Sequence, residues 1–187
     1  MGSIPSGIDE SEGSSFLWLA PFAPPKGWKD VPRGGMCLCA FLFVVSGGKV
    51  LLGRYADHPA WEKLCGMDSG RVRANAQGWT IPASHLKFGE DPRDAARRIG
   101  EEVLELDGGL AYSEPYVKTF FYEPAVAPGE KHFDVLFLFE VSVGAGAGVH
   151  KPQWYDALEW LDIATVRDER FARQHRDVVD AWLKQRG

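Results

Sequence analysis

The chain has 187 residues, 45% hydrophobic and 25% charged, with 26 acidic and 21 basic side chains giving a net charge of -5. These values predict one globular domain with a full core, exclude global disorder, and argue against a protein that binds nucleic acid by covering its phosphates. The longest apolar run, Met36–Val45, is about half of a membrane span, and three cysteines are too few for a disulfide framework, so we expect a cytoplasmic protein without a membrane anchor.

Two segments precede the predicted domain. Residues 1–15 are rich in glycine, serine and acidic side chains, a composition typical of flexible tails. Residues 16–34 combine aromatic side chains with several prolines, which favours an extended arm that packs against a domain. We therefore predict a tail and arm over residues 1–34, followed by one domain over residues 35–187.

The domain begins with a predicted β-hairpin. Two apolar runs, Met36–Val45 and Lys49–Arg54, are joined by a Ser-Gly-Gly turn. Neither run alternates with polar residues, so we expect strands that are buried on both faces of a central sheet covered by helices. Residues 55–76 then form a long polar connection without a clear period.

A helix is predicted from Asp91 to about Leu106, with Asp91 as its N-cap and Pro92 at its first helical position. The elements predicted after it are strands at 116–122, 133–143 and 158–161, a glycine-rich loop at 144–148 and a last helix at 165–184. Strands and helices in this arrangement indicate an α/β (α+β) protein.

Residues 79–109, WTIPASHLKFGEDPRDAARRIGEEVLELDGG, resemble the signature of the Nudix hydrolase family, G-x5-E-x7-R-E-U-x-E-E-x-G-U, where U is a bulky aliphatic residue. The ungapped register places Ser84 on the first glycine, Glu90 on the first glutamate and Arg98 on the arginine. The hairpin, a later strand and the C-terminal helix extend the resemblance to residues 35–184. The resemblance implies an α/β/α sandwich around a central mixed β-sheet. It also implies a hydrolase that uses Mg²⁺ or Mn²⁺ and acts on a nucleoside diphosphate linked to another moiety.

The sequence departs from the family on the face of the helix that binds metal. Ile99, Glu102 and Val103 fall on the three metal-binding glutamates, and Glu105 falls on the late glycine. Hard cations such as Mg²⁺ require clustered carboxylates, so the loss of two of them predicts weak or atypical activity. The resemblance leaves Glu102 as the principal metal ligand, supplemented by Glu105.

Two interpretations of Glu102 remain open. In the first, Glu102 forms the catalytic set with Arg98 and Glu90, and one Mg²⁺ is held by carboxylate and substrate phosphates. In the second, Glu102 only forms a salt bridge with Arg98, which contributes about 0.3–0.5 kcal/mol. For the whole protein, the alternative to a hydrolase is a Nudix-fold module that binds a nucleotide or a protein partner without turnover.

Four residues are candidates for substrate binding. Ser84 and His85 could contact phosphate, and His85 could act as a base in metal-independent chemistry. The alternative, which we favour, is that Ser84 acts like an N-cap residue and that His85 satisfies a loop carbonyl. Arg54 offers a cation, and Trp154, like Trp61, offers a ring that could stack on a base. Each of these has a core or surface role as its alternative.

Cys37 and Cys39 lie on one face of the predicted buried strand. We expect them to be core residues and not zinc ligands, because the sequence shows no second Cys or His pair nearby. The expected partner is a small nucleotide-type molecule, with no nucleic acid and no membrane. Proteins of the family often dimerise, so the resemblance also admits a homodimer closed by the N-terminal arm.

Overall fold

The computed structural model describes residues 17–19, 35–106, 110–122, 131–144 and 149–187. The strands are β1 (Leu17–Leu19), β2 (Gly35–Ser46), β3 (Lys49–Tyr55), β4 (Ala83–His85), β5 (Tyr116–Tyr122), β6 (His132–Ser142) and β7 (Tyr155–Asp162). The α-helices are α1 (Ala60–Cys65), α2 (Ser69–Asn75), α3 (Pro92–Arg98) and α4 (His175–Arg186). A π-helical turn (Ile99–Val103) continues α3, and a 3₁₀ turn (Val166–Asp168) precedes α4. Apart from β1, the predicted tail and arm lie outside the described residues, as does most of the glycine-rich loop.

The strands form a mixed sheet in the order β5-β6-β2-β3-β7. Strand β2 runs parallel to β6, and every other neighbouring pair is antiparallel. The short strands β1 and β4 also pair with β2. Strand β2 is apolar along most of its length, which suits the centre of a sheet whose two faces are both covered. The predicted central mixed sheet is confirmed.

Helices cover both faces of this sheet. On one face, Ala95, Ala96 and Ile99 of the α3 segment pack in a cluster with Leu42 of β2. On the other face, Trp182 of α4 stacks on Phe43 with ring centroids 4.2 Å apart. Successive side chains of a strand point to opposite faces of the sheet. Adjacent residues of β2, such as Leu42 and Phe43, therefore pack in the two different hydrophobic clusters. The result is the predicted α/β/α sandwich.

The hairpin has the predicted turn. Gly47 and Gly48 connect β2 to β3 with φ angles of 53° and 80°. Both angles lie in the left-handed region, where a side chain is disfavoured and glycine is not. The turn therefore depends on the Gly-Gly pair that predicted it.

Three predicted elements were wrong in part. The connection 55–76 contains α1 and α2, which the polar pattern hid because each has only one or two buried side chains. Strand β7 begins at Tyr155 and is longer than predicted. The last helix begins at His175 and not near residue 165, because the two preceding residues have φ angles of 52° and 58°, which no α-helix accommodates. None of the helices in the described ranges has the length and apolarity needed to cross a membrane.

Candidate functional site

Helix α3 begins where the sequence predicted it. The Asp91 carboxylate accepts a hydrogen bond of 2.8 Å from the backbone N–H of Arg93, and Pro92 occupies the first turn. This cap satisfies a helix donor that would otherwise lack a partner. Ala95 and Ala96 are fully buried, and their small side chains let the helix lie close to β2. The cap and these alanines position Arg98 at the end of α3.

Arg98 is the centre of a buried polar network. Its guanidinium donates to both carboxylate oxygens of Glu90, over 2.7 and 2.8 Å. The same group donates to Ser84 Oγ at 3.1 Å and to the backbone carbonyl of His85 at 2.9 Å. Glu90 also accepts a 2.7 Å hydrogen bond from the backbone N–H of Lys87. Arg98 therefore ties the whole segment between β4 and α3 to the helix.

Both partners of this pair keep their charge. Burial by itself raises the pKa of Glu90, but the Arg98 guanidinium and the Lys87 amide outweigh it, so the pKa of Glu90 is below its usual value. Burial likewise lowers the pKa of Arg98, and the Glu90 carboxylate outweighs it, so the pKa of Arg98 is raised. A pair that stays ionised at neutral pH holds structure and is poorly suited to donate or accept a proton.

The interpretation in which Glu102 forms a salt bridge with Arg98 was wrong. In the described part of the chain the Arg98 guanidinium forms its ion pair with Glu90. Glu102 is exposed, and its charge only raises the pKa of Arg98. The cause is the π-helical turn, in which Leu104 N–H donates to the carbonyl of Ile99, five residues earlier, at 3.1 Å. Residues in such a turn do not follow the 3.6-residue wheel on which the prediction relied.

The face that would bind metal lacks the necessary ligands. Ile99 and Val103 are 0% and 1% exposed and belong to the core that α3 buries. Glu105 is exposed, adopts a left-handed φ of 51° at the glycine position of the family signature, and lies 3.3 Å from His150. Among the residues that the structure describes, Glu102 and Glu105 belong to no set of three metal-binding side chains. A site for several Mg²⁺ or Mn²⁺ ions does not fit these residues.

The structure buries the two predicted phosphate contacts. Ser84 and His85 lie in β4 and are 6% and 5% exposed. Ser84 Oγ donates to the carbonyl of Leu64 at 2.9 Å and accepts from Arg98, so its hydrogen-bonding capacity is used within the protein. The favoured alternative for Ser84, a structural role, agrees with these contacts, although Ser84 belongs to a strand and the N-cap of α3 is Asp91.

The two remaining substrate candidates have different surroundings. Arg54 lies 3.7 Å from Asp156 and packs with its guanidinium 5.0 Å from the ring centroid of Trp79. Trp154 donates its indole N–H to the carbonyl of Val103 over 2.9 Å, which satisfies an acceptor at the end of the π-helical turn. Ser84 and His85 line one small pocket of the described structure, and neither Arg54 nor Trp154 belongs to its lining.

A cleft that the sequence did not predict lies between β5, β6 and α4, with a volume of about 630 Å³. This volume is within the range of small-molecule sites, roughly 300–1,000 Å³. Its lining includes Tyr112, Glu114, Tyr116, Glu140, Trp182 and Arg186. Of these, Tyr112 reaches the π-helical turn with its hydroxyl, which would lie 2.6 Å from a Cβ atom on Gly100. Burial and the charge of Glu101 raise the pKa of Tyr112.

The charges at this cleft are paired. Glu140 accepts a 3.0 Å hydrogen bond from the indole N–H of Trp182 and forms an ion pair with Arg186. Glu114 pairs with Arg93 at 2.5 Å. The walls therefore offer aromatic rings and a balanced charge. No local sequence signal could have found this site, because its walls come from three segments that are distant along the chain.

No protein-family model and no curated protein matches this sequence. Solved structures do match in fold. The E. coli dihydroneopterin triphosphate pyrophosphohydrolase has a TM-score of 0.56 at 15% identity over 84% of this chain and 99% of that chain. RenU, a Nudix hydrolase from M. smegmatis, has a TM-score of 0.52 at 16% identity, over 82% and 92%. The Nudix domain of Shewanella oneidensis NrtR complexed with ADP-ribose has a TM-score of 0.50 at 15% identity, over 88% and 94%. At these identities the likeness concerns the fold, and the chain has the Nudix fold.

Proposed function

We propose that this chain binds a nucleoside diphosphate linked to another moiety and hydrolyses it weakly or not at all. The observation that carries the proposal is the burial of Ile99 and Val103 in the core, at two of the three positions where the family signature has metal-binding glutamates. Pyrophosphate hydrolysis of the family's kind requires cations that neutralise phosphate oxygens and activate water. Only one of those three positions, Glu102, carries an exposed carboxylate. This helix face therefore supports binding of the nucleotide better than its hydrolysis.

Support for the ligand class comes from one structural neighbour. The NrtR Nudix domain was solved with ADP-ribose, which is a nucleoside diphosphate linked to a sugar. The cleft between β5, β6 and α4 is the site that we propose for this ligand. Its volume suits such a molecule, and the rings of Tyr112 and Tyr116 offer surfaces on which a base can stack.

A weak hydrolase is the second candidate, and the exposure of Glu101 and Glu102 favours it. Mg²⁺ keeps several waters and can be held by one or two carboxylates together with substrate phosphates. In that case Glu102 would be the ligand, with Glu105 as the supplement that the sequence suggested. Arg98 and Glu90 would support the site by holding the segment before α3, and would not contact the substrate.

We expect ADP-ribose to bind and to yield little or no product with Mg²⁺ or Mn²⁺. Binding is measured by calorimetry, and turnover by chromatographic detection of AMP, over a panel that includes other nucleoside diphosphate conjugates. Glu102→Gln is compared with Glu101→Gln, which removes a neighbouring exposed charge. Product that is lost in Glu102→Gln and kept in Glu101→Gln would establish the second candidate. If no compound of the panel binds and none yields product, both candidate functions are contradicted.

We expect Tyr116→Ala to weaken ADP-ribose binding at least about fivefold, because stacking of a base on an aromatic ring contributes about 1–3 kcal/mol. Phe121→Ala is the matched control, since Phe121 lies on the same strand, is 63% exposed and does not line the cleft. Calorimetric titration of both variants measures the effect. Equal dissociation constants for the two variants would show that the cleft is not the binding site.

A further inference from the structure

Five potential metal ligands meet on the face of the sheet opposite α3. Strand β2 contributes Cys37 and Cys39, β4 contributes His85, and β6 contributes His132 and Asp134. The register of the sheet brings them together, because Cys39 pairs across with His85 and Cys37 with Asp134. The sequence did not predict these partners for the two cysteines, because the other three residues lie about 50 and 100 positions further along the chain.

The ligand atoms of this cluster form two overlapping groups of three, which have Cys37 in common. The Sγ atoms of Cys37 and Cys39 are 3.3 Å apart, and Cys37 Sγ donates to Asp134 Oδ1 at 2.7 Å. His132 Nε2 lies 2.9 Å from the same carboxylate oxygen. The ligand atoms of Cys37, Cys39 and His85 all lie within 4.8 Å of one another, and so do those of Cys37, His132 and Asp134.

The histidine of β4 supplies an independent indication of a ligand. His85 is 5% exposed, and within the described residues its Nδ1 atom is buried without a hydrogen-bond partner. A buried polar atom left in this state pays the full cost of its desolvation. The same imidazole has a ligand atom within 4.8 Å of both thiols, so a metal ion bound there would account for the burial of this side chain.

We propose that Cys37, Cys39 and His85 bind one Zn²⁺ ion, and that the Asp134 carboxylate, 2.7 Å from Cys37 Sγ, moves in to complete the four-ligand set. Two thiolates, an imidazole and a carboxylate suit a four-coordinate zinc ion, whereas Mg²⁺ and Mn²⁺ prefer oxygen ligands. His132 Nε2, 2.9 Å from the Asp134 carboxylate, is placed for the outer-shell contact that orients such ligands.

A structural zinc site fits the burial of the cluster. Cys37 and Cys39 are 3% and 8% exposed and His132 is fully buried, as is typical of the closed sites that hold structural zinc. The ion would join β2, β4 and β6 where the sheet holds the segment that Arg98 also anchors. This proposal does not depend on the nucleotide-binding function, because none of its five residues lines the cleft proposed for the nucleotide.

A disulfide explains the two cysteines less well. Residues two apart on a strand are separated by roughly 6.6–6.8 Å between their Cα atoms, at the upper end of the disulfide range of about 4.4–6.8 Å. In the metal-free protein, the hydrogen bond with Cys39 and burial raise the pKa of Cys37, so its thiol is protonated and donates to Asp134. Zinc would take the place of that proton.

The test uses the untagged full chain, expressed with added zinc and purified without chelators. Mass spectrometry of the metal content is expected to give one zinc per chain, and Co²⁺ added after chelation is expected to give a thiolate-to-cobalt charge-transfer band. We expect Cys39→Ser and His85→Ala to lose both signals. Cys65→Ser is the matched control and should keep them, because Cys65 is also buried but donates to the carbonyl of Ala83 at 3.1 Å.

Two results would overturn the proposal. The first is a folded wild-type chain that holds only trace zinc and gives no charge-transfer band with Co²⁺. The second is a metal content that Cys39→Ser and His85→Ala leave unchanged. Because the first result is measured on the wild-type chain, the test holds even if a variant fails to fold.

Discussion

Arg98→Ala is expected to lower the free energy of unfolding by about 3–5 kcal/mol, the usual cost of removing one partner of a buried ion pair. Its side chain is 9% exposed and that of Glu90 is 12% exposed, so the substitution leaves a buried carboxylate without its cation. The Ser84 hydroxyl and the carbonyl of His85 lose a donor at the same time. Urea denaturation at neutral pH measures the loss.

Arg97→Ala is the matched control on the same helix. Arg97 pairs with Asp94 at 2.8 Å, but their side chains are 54% and 59% exposed. An exposed pair of this kind contributes about 0.3–0.5 kcal/mol, so we expect a small change in the urea midpoint. Similar losses for the two variants would show that the Arg98 network does not hold the segment before α3.

The same pair predicts a response to acid. The pKa of Glu90 is lowered in the folded protein from its ordinary value of 4.5. The carboxylate therefore contributes stability that is present above pH 4.5 and is lost as the pH falls through the lowered pKa. The wild type should lose more stability than Arg98→Ala over that acidic interval. Parallel pH profiles of unfolding free energy for the two chains would contradict this.

Trp61→Ala is expected to cost about 3–5 kcal/mol, as is usual for deletion of a large aromatic side chain from a core. Trp61 is 1% exposed, and its ring meets the rings of Tyr55 and Tyr155 edge-on at 4.6 and 5.0 Å. Its indole N–H also donates to the carbonyl of Trp154 at 2.9 Å. The sequence allowed Trp61 to stack on a base, whereas the structure makes it a core residue.

Chemical denaturation of Trp61→Ala and Trp61→Phe separates these roles. Trp61→Phe keeps most of the buried ring and loses one hydrogen bond, so we expect a much smaller loss of stability. Both variants should bind ADP-ribose like the wild type under conditions in which they are folded. Wild-type stability in Trp61→Ala, accompanied by lost binding, would instead indicate a ligand contact.

Local signals predicted the parts of the fold whose causes are local. Asp91 and Pro92 start α3 because an N-cap and an N1 proline act within one turn, and Gly47 and Gly48 form the hairpin turn because the required φ angles are those of glycine. The beginning of α4 could not be predicted from the sequence. The left-handed φ of Gln174 has no sequence signal, because the residues around it are ordinary helix-forming residues.

The residue types of the candidate site were visible in the sequence, but their partners were not. The pattern around Arg98 pointed to the helix and to the missing carboxylates at Ile99 and Val103. Arg98 pairs with Glu90 and not with Glu102 because of the π-helical turn. That turn forms only through the packing of the folded chain. The same holds for Trp154, whose indole satisfies the end of that turn.

The sequence by itself therefore determined β2, β3, β5 and β6, the hairpin turn, the start of α3 and the loss of metal-binding glutamates, since each depends on residues that are near one another along the chain. Only the tertiary structure decided which side chains meet. Strand register joins Cys37 and Cys39 to His85 and Asp134, and the packing of α4 beside β5 and β6 opens the cleft. The residue cluster and the cleft both depend on contacts between segments that are distant along the chain, and a local sequence pattern does not predict such contacts.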